Sequence, residues 1–160
     1  MLVVCRRYAN SNEDAEDILQ EGFITVFTKL HQFRMEGSFE GWIRRIIVSR
    51  AIEHCRKKSN IFSMADIDEY YEEAISPNDI IGNMEADELM QMISELPGNL
   101  KMVFNLYIFE DMGHKEIAET LGIAEGTSKS SLFHARVFLR KKMKQSMTEP
   151  KQNKFYGKRL

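Results

Sequence analysis

Residues 114–140 read HKEIAETLGIAEGTSKSSLFHARVFLR, and this stretch decides the fold of the C-terminal part of the chain. Two short helical patterns flank Gly122, a residue that favours the left-handed conformation with which many helices end. The positions expected to face the core are apolar at helical spacing in both patterns: Ile117, Ala118, Leu121, Leu132, Ala135 and Leu139. The spacing predicts a short helix, a tight turn closed by Ile123, and a longer helix.

The opposite face of the longer helix is polar and begins near the helix N-terminus. It carries Thr127, Lys129, Ser130, Ser131, Phe133, His134 and Arg136. Hydroxyls and cations in this position suit phosphates and base edges in a major groove. A helical hairpin with a glycine turn also occurs in structural bundles. Further basic residues between Arg136 and Lys144 favour a helix-turn-helix that reads duplex DNA.

The remainder of the chain is also helical in pattern, which predicts an all-α fold. Ser11 and Ser38 are placed to cap two amphipathic helices in the first part. Residues 59–83 lack a steady period and include the turn signal around Pro77. Helices are then expected near 84–95, 98–110, 114–121 and 125–146. The sequence therefore predicts two small helical domains, 1–58 and 84–146, an acidic linker at 59–83, and a disordered tail at 147–160.

Charge is distributed unevenly along the 160 residues, although the net charge is only −2. Residues 1–58 carry a net +2, residues 59–95 a net −10 without any lysine or arginine, and residues 96–160 a net +6. Two basic parts around an acidic connector suggest a nucleic-acid binder. A solvated linker with no role beyond solubility explains the acidic part equally well.

Several functional classes are not supported by the sequence. There is no nucleophile–base arrangement, no phosphate-cradling glycine loop and no paired carboxylates, so no catalytic residue is expected. Cys5 and Cys55 make no CxxC pattern and the four histidines lack ligand spacing, so neither a metal nor a cofactor is expected. No apolar run approaches the length that spans a bilayer, so no membrane insertion and a cytoplasmic location are expected.

The C-terminal motif resembles region 4 of bacterial sigma factors. The residues that carry the likeness are Leu96-Pro97, Val103-Phe104, Leu106, Glu116-Ile117-Ala118-Glu119, Leu121-Gly122-Ile123, Gly126-Thr127, Lys129-Ser130, Leu132 and Ala135-Arg136. The first part is similar to region 2 of the same family. Its matching residues are Asp14-Ala15-Glu16-Asp17-Ile18-Leu19-Gln20-Glu21, Phe23, Phe39, Trp42-Ile43, Ile46 and Arg56-Lys57. With nothing like region 3 between them, the chain resembles the extracytoplasmic-function (ECF) group of sigma factors.

This resemblance implies a transcription initiation factor that is not an enzyme and whose partners are core RNA polymerase, promoter DNA and an anti-sigma factor. Its polymerase-docking residues would be Asp14, Asp17, Gln20, Glu21 and Phe23. Its −10 DNA-binding residues would be Phe39, Trp42, Arg45, Ser49, Arg50, Glu53, Arg56 and Lys57, with an unstacked base caught in the loop from Phe33 to Phe39. Its −35 DNA-binding residues would be Glu125, Thr127, Lys129, Ser130, Ser131, His134 and Arg136. The acidic linker would follow the RNA exit path of the polymerase.

The chain departs from the family pattern at a few positions. Ser49 stands where Asn is usual and Ser128 where Val is usual, while Ser131 and His134 occupy positions where Arg is frequent. Met1 falls inside the first region 2 helix, which would leave apolar surface exposed on the helix of Ile18 and Phe27. The alternative function is a stand-alone helix-turn-helix regulator that uses the C-terminal reader alone, and it predicts dimers on palindromic sites.

Overall fold

The structure is a computed structural model that describes residues 1–58 and 86–148. Within these two ranges it contains seven α-helices, one 3₁₀ turn and no strand, which confirms the predicted all-α class. The helices are α1 (Leu2–Tyr8), α2 (Asn12–Lys29), α3 (Phe39–Lys58), α4 (Ala86–Ser94), α5 (Gly98–Ile108), α6 (His114–Leu121) and α7 (Glu125–Thr148), and the 3₁₀ turn is Leu30–Gln32. The predicted linker at 59–83 and residues 149–160 of the predicted tail lie outside the described residues.

Local chemistry sets the ends of three helices. The Ser11 hydroxyl accepts a hydrogen bond from the Asp14 backbone N–H at 3.1 Å, which caps α2. The Ser38 hydroxyl does the same for the backbone N–H of Gly41 at 3.2 Å, at the start of α3. Gly122, with φ 70°, ends α6 in the left-handed conformation. Because these caps satisfy backbone groups that a helix terminus leaves unpaired, they confirm the expected boundaries.

The first three helices form one packed unit. Its innermost side chains are Cys5, Tyr8, Ala15, Ile18, Ile47 and Ala51. Gly22 lies where α2 crosses α3, and a Cβ at this position would collide with Cδ1 of the buried Ile47. The glycine therefore permits the close approach of the two helices. Helix α2 also carries exposed apolar side chains, since Ile24 and Phe27 are 64% and 72% exposed, whereas Ile18 is buried.

Helices α4 to α7 form the second unit, in which α7 packs on α5 and α6. The six positions predicted to face the core from residues 114–140 are all buried. Ile123 packs against them at the corner between α6 and α7. The helix-turn-helix expected in this part of the chain is thereby formed.

The two units contact each other, and their buried residues form one continuous cluster. The Asn105 side-chain amide of α5 donates to the Arg7 carbonyl of α1 at 2.7 Å. Lys101 of α5, which is buried, donates to Asn10 Oδ1 at 3.0 Å. Burial lowers the pKa of Lys101, so these polar partners offset part of the cost of placing an ammonium group there. No pattern in the sequence predicted this contact.

Candidate nucleic-acid interface

A basic face runs along helix α3. Arg45, Ser49 and Arg56 are spaced at helical intervals and are all exposed. Glu53 lies among them and pairs with two cations, Arg50 at 2.7 Å and Lys57 at 3.6 Å. All of these residues except Arg50 line one wall of an open cleft of about 1350 Å³. A row of guanidinium and ammonium groups of this kind is suited to a phosphate backbone.

Three aromatic rings cluster at the start of α3, next to the basic face. Phe33 lies 5.1 Å from Phe39 and 5.4 Å from Trp42, and the Phe39 and Trp42 rings are stacked at 6.0 Å, measured between ring centroids. The loop that joins Phe33 to Phe39 has positive φ at Met35 and Gly37. Phe39 is exposed while the other two rings are half-buried. The cluster thus offers a fixed aromatic surface on which an unpaired base can stack.

Four of the five predicted polymerase-docking residues lie on α2 with accessible side chains. Asp17, Gln20 and Glu21 are exposed and Phe23 is half-buried. Asp14 does not fit the prediction, because its side chain is buried and lies 3.7 Å from His54 Nε2 of α3. Its side chain therefore joins two helices of the same unit and does not face a partner protein.

The predicted −35 residues follow the first turns of α7. Glu125 and Lys129 are exposed and form an ion pair at 2.7 Å, which lowers the pKa of Glu125. Thr127, Ser130, His134 and Arg136 are partly exposed. The prediction that Ser131 contacts DNA is wrong. Its side chain is 2% exposed and lies on the core side with Leu132 and Ala135, so it cannot reach DNA. Helical spacing places residue 131 three residues after the fully buried Ser128, on the same side of α7.

A polar contact between α6 and α7 supports the recognition helix. The Nδ1 atom of His114 lies 3.0 Å from the hydroxyl oxygen of Ser128. The Tyr107 ring stacks on the His114 ring at 4.9 Å, and the Arg136 guanidinium lies 5.7 Å from the centre of the Tyr107 ring. Burial, with the positive charges of Lys129 and Arg136 adding to it, lowers the pKa of His114. The only sequence signal for this contact was the unusual serine at 128.

A polar cluster centred on Glu110, which the sequence did not predict, joins the two units. Glu110 accepts hydrogen bonds from Arg44 Nε at 2.7 Å and Arg44 Nη2 at 3.0 Å, and from the Tyr8 hydroxyl at 3.4 Å. The bond to Glu110 raises the pKa of Arg44, while burial and the Glu110 charge raise the pKa of Tyr8. No local pattern could have predicted the pair, because Arg44 and Glu110 are 66 residues apart.

Other kinds of site find little support in the described residues. Across 1–58 and 86–148 no group of three or more histidine, cysteine, aspartate or glutamate side chains is arranged to hold a metal ion. Within the same ranges, no helix combines the length and the apolar character needed to cross a membrane. Cys5 and Cys55 are both buried free thiols.

Comparison with known proteins places both units in one family. The sigma-70 region 2 family matches residues 2–61, and the sigma-70 region 4 family matches residues 86–139. The ECF RNA polymerase sigma factor SigE of Mycolicibacterium smegmatis is 29% identical over 151 residues, which cover 92% of this chain and 58% of that protein. SigW of Bacillus subtilis is 27% identical over 152 residues, covering 88% of this chain and 81% of that protein.

Among solved structures, the fold is similar to that of the sigma factor RpoE of Bartonella quintana, which was crystallised with the anti-sigma factor NepR. The TM-score is 0.57 and the sequence identity 20%, with 89% of each chain covered. The order of the two matched regions, the helix-turn-helix and the ECF relatives agree with one another. The chain belongs to the extracytoplasmic-function group of the sigma-70 family of RNA polymerase sigma factors.

Proposed function

We propose that this chain acts in the cytoplasm as a promoter-specificity subunit that binds core RNA polymerase and reads two promoter elements. It has no catalytic role of its own, and its contribution is to position the polymerase and help open the duplex. The observation that carries this proposal is the presence of two chemically different nucleic-acid surfaces on two units. One combines aromatic rings with cations, and the other is an exposed recognition helix.

The surface on α3 fits single-stranded DNA at the −10 element. Phe33, Phe39 and Trp42 supply ring faces on which a base stacks once it has left the duplex. Arg45 and Arg56 lie farther along the same helix and fit the phosphates that follow. Stacking is worth about 1–3 kcal/mol per base, which offsets part of the cost of taking one nucleotide out of the duplex.

The surface on α7 fits the major groove at the −35 element. Thr127, Lys129 and Ser130 occupy its first turns, where a recognition helix meets base edges. Arg136 and Arg140 lie farther along and fit the flanking phosphates. Ser131 takes no part because it is buried.

Helix α2 provides the docking surface for the polymerase in this proposal. Asp17, Gln20 and Glu21 form an exposed polar face, and Ile24 and Phe27 continue it with exposed apolar side chains. Exposed apolar surface of this kind is typical of a protein interface. We extend the proposal to an anti-sigma factor as a competing partner, because the Bartonella relative of similar fold was solved with one.

The proposal is tested by reconstituting the full chain with core polymerase and a library of random promoter sequences. The expected result is transcripts from a selected set of templates that share two elements, with no transcripts from core polymerase alone. If no template is selected and the free chain is a dimer on palindromic duplexes, it is instead a stand-alone regulator.

A further inference from the structure

Helix α2 has apolar side chains on two sides. Ile18 and Val26 face the other helices of the first unit and are buried. On the outer side, Ile24 and Phe27 are 64% and 72% exposed, and Leu30, in the 3₁₀ turn that follows, is 46% exposed. A helix on the surface of a monomer is normally polar on its outer side. The second apolar side therefore indicates an interface with another molecule.

The outer apolar residues form one continuous surface, which we call the α2 patch: Phe23, Ile24, Phe27 and Leu30. Residues three and four apart adjoin on a helix, and the centroids of the Phe23 and Phe27 rings are 6.3 Å apart. Thr28 borders the patch, and its hydroxyl donates to the Thr25 carbonyl at 3.0 Å. Because this hydroxyl is hydrogen-bonded within its own helix, a partner can cover the patch without leaving it unpaired.

Charge is distributed unevenly on the two sides of the patch. Exposed acidic residues precede it: Glu13, Glu16, Asp17 and Glu21. The exposed residues His31 and Arg34 follow it, and residues 22–35 contain no acid. Two copies of α2 packed in the same direction would bring acids against acids. In an antiparallel arrangement the acidic half of each copy faces the basic end of the other, so the charges favour this arrangement.

A two-fold axis between Ile24 and Phe27 gives the antiparallel arrangement. Asp17 precedes Ile24 by seven residues and Arg34 follows Phe27 by seven, so Asp17 of one copy and Arg34 of the other lie equally far from the axis. Both side chains are exposed and available for this pairing. The patch then contacts the same patch of the second copy, as a two-fold dimer requires, and each pairing occurs twice.

The size of the patch fits a weak dimer. Large apolar side chains present about 150–250 Å² when fully exposed, so Ile24, Phe27 and Leu30 together offer roughly 350 Å² per copy at their observed exposures. With the polar residues around them, two copies bury about 1000 Å², which is the lower limit for a specific interface. An interface of this size is typical of a reversible complex with a dissociation constant in the micromolar range.

We propose that two copies of this chain form a weak antiparallel dimer through the α2 patch. The dimer covers the surface that docks on polymerase in the proposed function, so each copy binds either a second copy or polymerase. The recognition helix α7 takes no part in the contact, unlike in a regulator that dimerises on palindromic sites. The competition with polymerase rests on the proposed function, whereas the dimer rests on the surface of α2 alone.

The test is sedimentation velocity of the full chain over a range of concentrations around the micromolar. Phe27→Ser removes the most exposed side chain of the patch. Val3→Ser is the matched control, because Val3 is an apolar residue of α1 that is 58% exposed and lies outside the patch. The charge pairing is tested with Asp17→Lys and with the double variant Asp17→Lys/Arg34→Glu. Circular dichroism verifies the helical content, which these exposed positions should not affect.

The dimer predicts a monomer–dimer equilibrium for wild type and for Val3→Ser. Phe27→Ser should weaken dimerisation about a hundredfold, since a two-fold interface loses the ring twice. Asp17→Lys should weaken it about tenfold, and the double variant should restore it, because each swapped pair is again of opposite charge. The inference is overturned if wild type is monomeric throughout, if Phe27→Ser and Val3→Ser dimerise equally, or if the double variant is weaker than Asp17→Lys.

Core polymerase added to the same samples distinguishes the two occupants of the patch. The competition predicts that polymerase converts the dimer of wild type into a complex with one copy of the chain. If wild type stays monomeric while Phe27→Ser lowers its affinity for polymerase, the patch serves polymerase alone and the dimer is excluded.

Failure of the dimer and failure of the proposed function give different results. If the dimer is wrong but the function is right, the chain sediments as a monomer and still selects promoter sequences with core polymerase. If the function is wrong but the dimer exists, dimerisation still depends on Phe27 and on the Asp17–Arg34 pairing, while no promoter is selected.

Discussion

His114 and Ser128 are joined by a contact of 3.0 Å between the imidazole Nδ1 and the hydroxyl oxygen, which ties the first residue of α6 to the buried side of α7. Ser128 is fully buried, so its hydroxyl has been removed from water. The Tyr107 ring covers the other side of the histidine. The angle of the recognition helix is therefore set partly by a polar contact at a position where the resemblance leads one to expect the apolar residue valine.

Removal of the Ser128 hydroxyl measures how much this contact contributes to the stability of the fold. Ser128→Ala leaves the buried side of His114 without its partner, so we expect a loss of about 1 kcal/mol in the free energy of unfolding. The −35 duplex should also bind more weakly, since α7 is less well fixed. Urea denaturation and fluorescence anisotropy measure the two effects. Ser130→Ala is the control for stability, because its hydroxyl donates to the Thr127 carbonyl within the same helix at 3.1 Å. An equal loss of unfolding free energy in both variants would contradict the assignment.

Acidification should weaken the same contact. Burial lowers the pKa of His114 in the folded protein, whereas the unfolded chain binds that proton near pH 6.5. The unfolded state therefore holds more protons as the pH falls below about 6.5, and stability decreases in that direction. The free energy of unfolding should fall more steeply between pH 7 and pH 5 in wild type than in His114→Asn. Parallel pH profiles would show that His114 does not contribute.

Loss of the Trp42 ring should impair binding at the −10 element. Trp42→Ala removes the ring that lies within 6.0 Å of both Phe33 and Phe39, and stacking on one aromatic ring is worth about 1–3 kcal/mol per base. We expect affinity for the −10 oligonucleotide to fall about tenfold or more. Trp42→Phe, which keeps an aromatic face, should retain most of the binding. If the alanine variant is folded and binds like wild type, the aromatic cluster is not part of the −10 site.

A single lysine on α7 should affect the salt dependence of −35 binding. Lys129 is 2.7 Å from Glu125 in the free chain, and a phosphate would compete for its ammonium group. Lys129→Ala should reduce the slope of log affinity against log salt by about 1, because one fewer counterion is released. Lys29→Ala, on α2 in the other unit, should leave the slope unchanged. A slope unaffected by Lys129→Ala would mean that this lysine does not contact DNA.

Local sequence signals predicted the helices well, because each depended on neighbouring residues. The Ser11 and Ser38 caps and the Gly122 helix end each involve groups within four residues of one another, so helical spacing alone located them. The aromatic cluster was also accessible to prediction, since Phe39 and Trp42 are three residues apart on one helix and Phe33 precedes them closely.

Features that depend on tertiary packing were missed. Asp14 was assigned to polymerase docking by the resemblance, and Ser131 to the polar face of α7. Packing of α3 on α2 and of α7 on its core buries both. Arg44 and Glu110 are ordinary surface residue types, and the contact between them depends on how two units meet. No spacing rule describes how the two units meet, so this contact is found only in the structure.

Transcription by reconstituted polymerase is the decisive test of whether this chain directs initiation. Core polymerase is mixed with wild type, Trp42→Ala or Lys129→Ala and a random promoter library, and the transcribed templates are sequenced. We predict that wild type selects templates with two elements, that Trp42→Ala weakens selection at the element nearer the start, and that Lys129→Ala weakens selection at the distant one. If wild type selects no start sites beyond those of core polymerase alone, the claim that this chain directs initiation is contradicted.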